Sequence, residues 1–120
     1  MGRVAVVTGA AGGMGRAIVA RLLADGMHVV GLDIDRTGLE ELAVDPAFTG
    51  IETDLTSSAA IGAAFEQIAS EHGQVHALVN NAGTCLMSEL PDIPEDEFEL
   101  QMALNFTGAF HCCQAAIKLM

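Results

Sequence analysis

Short runs of apolar residues alternate along the chain with longer segments in which apolar residues recur every three or four positions. Runs of the first kind predict buried strands, and segments of the second kind predict amphipathic helices. Regular alternation of the two is typical of βαβ units, in which a helix connects two parallel strands. The pattern therefore predicts an α/β protein whose parallel sheet is covered by helices.

The predicted elements are four strands and four helices. The strands cover Arg3–Thr8, Met27–Leu32, Phe48–Thr53 and Val75–Val79. The helices cover about Met14–Asp25, about Thr37–Ala43, a segment from the Thr56/Ser57 cap to His72-Gly73, and a segment from about Glu95 to the end. This order predicts a Rossmann-type doubly wound parallel sheet, with strand order 3-2-1-4 and helices on both faces, in one domain over residues 1–120.

A complete doubly wound domain has two nucleotide-binding halves, and this pattern contains one half followed by a helix. The chain ends at Met120 inside a helical pattern whose apolar stripe includes Met102, Phe106 and Phe110. We therefore expect the N-terminal half of a longer domain. We also expect the 120-residue chain alone to be weakly stable or self-associating, because the fourth strand would be an unpaired edge.

The composition of the chain disfavours some classes of binding partner and indicates a cellular compartment. The chain carries 5 basic and 16 acidic residues, a net charge of −11, which disfavours nucleic acid and anionic membranes as partners. The apolar run Val4–Val7 is too short for a secretory signal, and no run approaches the roughly 20 apolar residues of a membrane span. Cys112 and Cys113 are adjacent, a poor start for a disulfide framework, so we predict a reducing cytoplasm.

A glycine-rich turn lies between the first strand and the first helix. Gly9, Gly13, Met14 and Gly15 belong to it, and its spacing matches neither G-x-G-x-x-G nor a P-loop. Glycines allow a sharp turn and a close approach of a pyrophosphate to backbone N–H groups, and the helix N-terminus attracts negative charge. The turn therefore predicts a dinucleotide phosphate site.

An acidic residue ends the second strand, 20 residues beyond Gly13. Asp33 can accept hydrogen bonds from the ribose hydroxyls of an adenosine, and its charge repels a 2′-phosphate. Ile34 follows, so no basic residue stands directly beside the carboxylate. These residues predict NAD as the cofactor, in preference to NADP.

The motifs together resemble the classical short-chain dehydrogenase/reductase family. They are the Thr8–Gly15 turn, Asp33, the Asp54-Leu55 pair, the Asn80–Gly83 segment and Asn105, and the resemblance extends from Arg3 to Met120. It implies that Asp54 and Leu55 hold the adenine ring, and that Asn81, Ala82 and Gly83 pass under the cofactor ribose. It also implies that Asn105 organises a proton relay. Asn is a weak helix former, so its place inside the last helix favours a role or a local distortion.

The resemblance implies an NAD(P)-dependent oxidoreductase that transfers hydride between nicotinamide and an alcohol or carbonyl substrate. It also implies a homo-oligomer formed through the last helix. In this family a Tyr, with a Lys four positions later and an upstream Ser, handles the substrate proton, but this chain has no tyrosine and its only lysine is Lys118. We therefore expect the 120-residue chain alone to lack turnover, with Asn105 as its one catalytic residue.

Two other classes remain open at this stage. A non-catalytic NAD-binding module would account directly for the missing tyrosine. A methyltransferase that uses S-adenosylmethionine would share the glycine turn and the acid of strand two, but not the Asn80–Gly83 segment. The four histidines are spread over different elements without ligand spacing, so we predict no metal site.

Overall fold

The computed structural model describes residues 2–120. Its four strands are β1 (Val4–Thr8), β2 (His28–Asp33), β3 (Phe48–Glu52) and β4 (Ala77–Val79). Its α-helices are α1 (Gly13–Ala24), α2 (Arg36–Leu42), α3 (Ser58–His72), α4 (Glu95–Met102) and α5 (Gly108–Ile117). A single 3₁₀ turn, Leu90–Asp92, precedes α4.

The strands form one parallel sheet with the order β3-β2-β1-β4, which confirms the predicted fold class and strand order. In the register of this sheet, Val6 of β1 is opposite Val30 of β2 and Leu78 of β4. Because all four strands run in the same direction, their carboxyl ends meet at one edge. The phosphate turn, Asp33 and the segment after β4 therefore emerge side by side.

Alternate residues of the central strands supply two separate cores, one on each face of the sheet. Val4, Val6, Val30 and Leu32 pack against α3 and α5. On the other face, Val7 and Val29 pack against residues of α1 and α2. The period of two along a strand thus produces a three-layer arrangement with buried strands in the middle.

Local sequence signals account for the way α3 begins and ends. The Ser57 side chain accepts a hydrogen bond from the backbone N–H of Ala60 at 3.1 Å, as an N-cap does. The helix ends at Gly73, whose φ of 74° lies in the left-handed region that favours glycine. The spacing of Ile61, Phe65 and Ile68 predicts the apolar face of this helix, and all three side chains are buried.

The fourth strand is shorter than predicted. The backbone N–H of Val75 donates to the carbonyl of Leu119 at 3.1 Å, which joins this residue to the end of α5. His76 follows, and its ring Nδ1 accepts from the backbone N–H of Val4 at 3.0 Å. The backbone N–H of His76 donates to the carbonyl of Val4 at 2.8 Å, so a bond to β1 is already present there, and the residue pairs of the β1–β4 ladder begin at Ala77.

The long last helix is interrupted, so the prediction of four regular helices is wrong in this detail. A π-helical segment, Ala103–Thr107, separates α4 from α5, and Asn105 lies at its centre. The expected local distortion at this asparagine is thereby confirmed. The backbone of Met102 and Gly108 at its two ends is right-handed helical, so the path of the chain continues without a break.

Two side-chain expectations are also corrected. The spacing of Met14, Ile18 and Leu22 predicts an apolar stripe on the first helix, but Met14 is 73% exposed, because the first turn of α1 faces the open end of the sheet. The Met102, Phe106, Phe110 stripe, whose sequence suits either core packing or a subunit interface, is exposed, and Cys112 and Ala116 form the buried face of α5. The place of Cys112 and Cys113 on the last helix predicts that both pack, but only Cys112 is buried and Cys113 is exposed.

Candidate active site

A cleft of about 960 Å³ lies at the carboxyl ends of the strands. All twelve residues predicted from the sequence as site residues line this cleft. They come from the phosphate turn, from the loops after β2, β3 and β4, and from the π-helical segment. The topology thus brings together residues that are as much as 96 positions apart in the chain, namely Gly9 and Asn105.

The phosphate turn is built so closely that side chains would not fit. Gly9 has a φ of +66°, and a Cβ there would lie 2.9 Å from the Cα of Ala82. A Cβ on Gly15 would overlap the carbonyl oxygen of Gly9. Two glycines of the motif are therefore required by the packing of the turn itself, independently of any ligand.

The N-terminus of α1 is open to a ligand. Its N-cap, Gly12, makes no side-chain capping hydrogen bond, and the first turn of α1 carries no acidic residue. Helices α2 and α3, by contrast, are capped by the side chains of Asp35 and Ser57. The first N–H groups of a helix lack intrahelical partners and carry partial positive charge, so this end of α1 suits an anion such as a phosphate.

Both carboxylate oxygens of Asp33 are oriented by backbone groups. Oδ2 accepts from the N–H of Ala11 at 2.9 Å, and Oδ1 accepts from the N–H of Asp35 at 2.9 Å. The first bond joins the end of β2 to the phosphate turn. A carboxylate has about four acceptor positions, so each oxygen of Asp33 keeps capacity for a hydroxyl donor in the cleft.

The segment after β4 is tied to the end of β1 through Thr8, a buried residue. Thr8 Oγ1 accepts from the backbone N–H groups of Asn81 and Ala82, each at 3.0 Å. The Asn81 side chain donates through Nδ2 to the carbonyls of Thr8 and Gly9, each at 3.2 Å. These bonds hold the Asn80–Gly83 segment against the turn, so Asn81 acts here as a brace.

The Asp54-Leu55 pair occupies the loop after β3. Asp54 Oδ1 accepts from the hydroxyl of Thr56 at 2.6 Å and from its N–H at 2.9 Å, and these bonds hold the pKa of Asp54 below its usual value. Leu55 is buried, and its carbonyl lies so close to Gly108 of α5 that a Cβ there would overlap it. An ionised carboxylate and an apolar surface therefore lie side by side at this edge of the cleft.

Asn105 clamps the loop that follows β4. Its Nδ2 donates to the carbonyl of Thr84, and its Oδ1 accepts from the N–H of the same residue, both at 2.7 Å. A Cβ on Gly83 would lie 3.0 Å from Asn105 Oδ1, so glycine also permits this approach. The π-helical segment places the asparagine amide at the cleft wall, as such segments frequently do at functional sites.

The cleft includes further residues that were not predicted. Thr53 and Thr56 flank Asp54, Thr84 and Cys85 follow Gly83, and Leu100 and Leu104 come from the last helical stretch. The position of Cys85 just past the Asn80–Gly83 segment predicts a partly buried loop residue, but Cys85 is exposed. Position in a loop that follows a strand could have identified the first four, since every such loop starts at this edge. The two leucines carry no comparable signal in the sequence.

Two histidines that are distant in the sequence are in contact at the end of the sheet opposite the cleft. The rings of His28 and His72 have centroids 4.6 Å apart, and His28 Nε2 lies 3.0 Å from Thr49 Oγ1. Burial and the nearby His72 lower the pKa of His28, against smaller opposite effects of Glu71 and Asp45. Within residues 2–120, no group of three or more His, Cys, Asp or Glu side chains is arranged to hold a metal ion.

The fold and the cleft define a Rossmann-type α/β protein. The family model described as short chain dehydrogenase matches residues 3–120, and the chain belongs to this family. D-threitol dehydrogenase of Mycolicibacterium smegmatis is 33% identical over 124 residues, covering 99% of this chain and 48% of that protein. The resemblance inferred from the motifs is thereby confirmed.

Solved structures agree with this assignment. The 3-ketoacyl-(acyl-carrier-protein) reductase of Brucella melitensis, complexed with NADH, superposes with a TM-score of 0.94 at 30% identity, covering 98% of this chain and 50% of that one. A blue fluorescent protein from a metagenomic library, in complex with NADPH, gives 0.89 at 34% identity, covering 99% and 51%. The chain thus spans about half the length of the relatives that it matches. No helix within residues 2–120 has the length and apolar character needed to cross a membrane.

Proposed function

We propose that this chain binds a nicotinamide dinucleotide in the cleft and belongs to an oxidoreductase that acts on alcohol or carbonyl substrates. The observation that carries the proposal is the N-terminus of α1, which has no side-chain cap and whose first residues, Gly13 and Met14, line the cleft. When bound, the nicotinamide would accept or supply the hydride. The protein's own residues would bind and orient the dinucleotide and exclude water from it.

The proposed cofactor is NAD in preference to NADP. Asp33 presents a carboxylate whose orientation is fixed by two backbone N–H groups. It would accept the ribose hydroxyls and repel a 2′-phosphate. Asp54 and Leu55 would hold the adenine ring, and Ile34 would provide apolar surface between these positions.

The proposed role of Asn105 is to position the loop beside the reacting end of the dinucleotide and to organise a proton relay. Its paired hydrogen bonds with Thr84 support the positioning role. A catalytic phenol and its lysine partner would have to come from outside these 120 residues, which contain no tyrosine. We therefore propose that residues 1–120 form the cofactor-binding part of the enzyme.

The proposal extends to assembly and location. The exposed apolar residues of α4, the π-helical segment and α5 support a homo-oligomer formed through this stretch. A cytoplasmic location fits the three free cysteines. An acidic net charge of −11 is consistent with small-molecule substrates and disfavours nucleic acid.

Cofactor binding is tested with Gly13→Val. Gly13 lines the cleft, and a Cβ there would meet no protein atom within 4 Å, so the added side chain fills ligand space without disturbing the fold. We expect NADH to bind at least about tenfold more weakly, which corresponds to roughly 1.4 kcal/mol. NADH emission can be followed without interference, because the protein contains neither Trp nor Tyr.

The matched control is Gly62→Val, on an exposed turn of α3 away from the cleft, where a Cβ also meets nothing within 4 Å. It should leave the Kd for NADH unchanged. Equal binding of NADH to Gly13→Val and the unsubstituted protein would overturn the proposed site. If NADH binds but the protein that carries this chain never oxidises alcohols or reduces carbonyls, the chain is a non-catalytic dinucleotide-binding module.

A further inference from the structure

Two arginines lie near Asp33, and each is paired with a glutamate of α2. Arg16 belongs to α1, just after the phosphate turn, and its Nη1 lies 3.1 Å from Glu41 Oε2. Arg36 begins α2, and its Nε lies 3.2 Å from Glu40 Oε1. The arginine that follows the phosphate turn and the arginine that begins α2 are therefore both engaged by carboxylates.

The two pairs differ in how firmly they hold their arginine. Arg36 and Glu40 are one turn apart on the same helix, and their side chains are 75% and 66% exposed, so solvent screens this pair. The Arg16–Glu41 pair joins two different helices, and its side chains are 38% and 59% exposed, so the difference lies mainly at the arginine. Arg16 Nε also donates to the carbonyl of Ala11 at 2.8 Å, which gives this guanidinium a second fixed contact.

These contacts connect Arg16 to Asp33 through a single residue. The N–H of Ala11 donates to Asp33 Oδ2, and the carbonyl of Ala11 accepts from Arg16. Gly38 brings α2 close at the same point, since a Cβ there would lie 3.0 Å from Arg16 Nη2 and 2.7 Å from Ala11 Cβ. The guanidinium thus lies beside the backbone that orients the ribose-binding carboxylate.

We propose that Glu41 is a positioning residue for cofactor selection, which acts by holding the Arg16 guanidinium against α2. A cation already paired with a carboxylate gains less from a phosphate than a free one, so Arg16 is withheld from a 2′-phosphate. Glu41 thereby reinforces the repulsion that Asp33 exerts directly. This inference rests on the proposed function, dinucleotide binding in the cleft.

The test compares Glu41→Gln with Glu40→Gln, two neighbouring substitutions that remove the same charge from the same helix. The dissociation constants of NADH and NADPH are measured by cofactor emission for the unsubstituted protein and both variants. We expect Glu41→Gln to tighten NADPH about fivefold and to change NADH less than about twofold, because only NADPH carries the 2′-phosphate. Glu40→Gln should change both constants less than about twofold, since its arginine is already solvated.

Two further measurements separate release of Arg16 from a general loss of negative charge. In an Arg16→Gln background, Glu41→Gln should no longer change the ratio of the NADPH and NADH constants. The tighter binding of NADPH to Glu41→Gln should also be reduced at about 1 M salt, where the electrostatic screening length falls to about 3 Å. The ratio corrects for any loosening of the turn caused by Arg16→Gln, since that affects both cofactors.

Each outcome has a distinct meaning. A ratio that Glu41→Gln leaves unchanged while NADH binds normally overturns the role of Glu41 and leaves the proposed function intact. The role of Glu41 is also overturned if Glu41→Gln still tightens NADPH binding in the Arg16→Gln background, or if Glu40→Gln tightens NADPH binding equally. Failure of the unsubstituted protein to bind either dinucleotide overturns the proposed function itself, and the inference with it.

Discussion

At the scale of single residues, the contact between His28 and His72 links protonation to stability. The pKa of His28 is lowered by burial and by His72, so the folded protein binds a proton at this position less readily than the unfolded chain. Its contribution to stability is therefore fully present above the unfolded pKa of about 6.5, and it is lost as the pH falls below that value. Glu71 and Asp45 oppose this effect, which limits its size.

The prediction is tested by measuring the free energy of unfolding at about pH 7.5 and about pH 5.5. His28→Gln keeps a polar group beside Thr49 but does not titrate, so it should lose less stability on acidification than the unsubstituted protein. His111→Gln, on α5, is the control and should behave like the unsubstituted protein. Identical losses in His28→Gln and the unsubstituted protein would contradict the assignment.

At the scale of elements, the position of α2 against the phosphate turn depends on the absence of a side chain at Gly38. A Cβ there would lie 2.7 Å both from the Cβ of Ala11 and from Asp35 Oδ2, and the latter side chain caps α2. Gly38→Ala should therefore destabilise the protein by about 1–3 kcal/mol, as overpacking typically does. Because Ala11 also orients Asp33, NADH binding should weaken in the same variant.

Gly62→Ala makes the same chemical change where there is space, in the exposed interior of α3. Alanine loses less backbone entropy on folding, so this variant should be more stable by about 0.5–1 kcal/mol. Denaturant unfolding of both variants checks the opposite signs. Stabilisation by Gly38→Ala would show that α2 does not require this close approach.

At the scale of the whole molecule, one stretch of surface combines three large apolar side chains. Phe98, Phe106 and Phe110 are 56%, 64% and 54% exposed, along α4, the π-helical segment and α5. Under the proposed assembly, replacing Phe106 and Phe110 together by Ser should weaken self-association at least about tenfold, because aromatic side chains contribute much of the affinity of an interface.

Light scattering after size exclusion measures this change. Val44→Ser is the matched control, since Val44 is 86% exposed but follows α2, outside the stretch of three phenylalanines. It should leave the molar mass unchanged. An equal shift in the control, or no shift in the double variant, would place the association surface elsewhere.

Local patterns predicted the elements with errors of only a few residues at their ends. The continuous apolar run of β1 predicts a strand that is buried on both faces, and the periodic apolar face of α3 requires one buried side; the structure shows both. The errors arose where tertiary contacts compete with local preference. The apolar pattern predicts a strand from Val75, but the N–H of Val75 donates to the carbonyl of Leu119. The pattern also predicts a regular last helix, which instead contains a π-helical segment around Asn105.

The sequence by itself determined the class of fold and the order of its elements, which follow from short-range properties: hydrophobic period, capping residues, and glycines at a turn between a strand and a helix. The predicted cleft residues after β3, after β4 and in the last helix came from the resemblance of the motifs to a known family, and the structure added others, such as Leu100 and Leu104. Only the tertiary structure decided which distant groups meet, as Thr8 meets Asn81 and His28 meets His72. Such pairs are separated by tens of residues in the chain. The packing of helices against the sheet brings them into contact, so a local sequence pattern does not predict them.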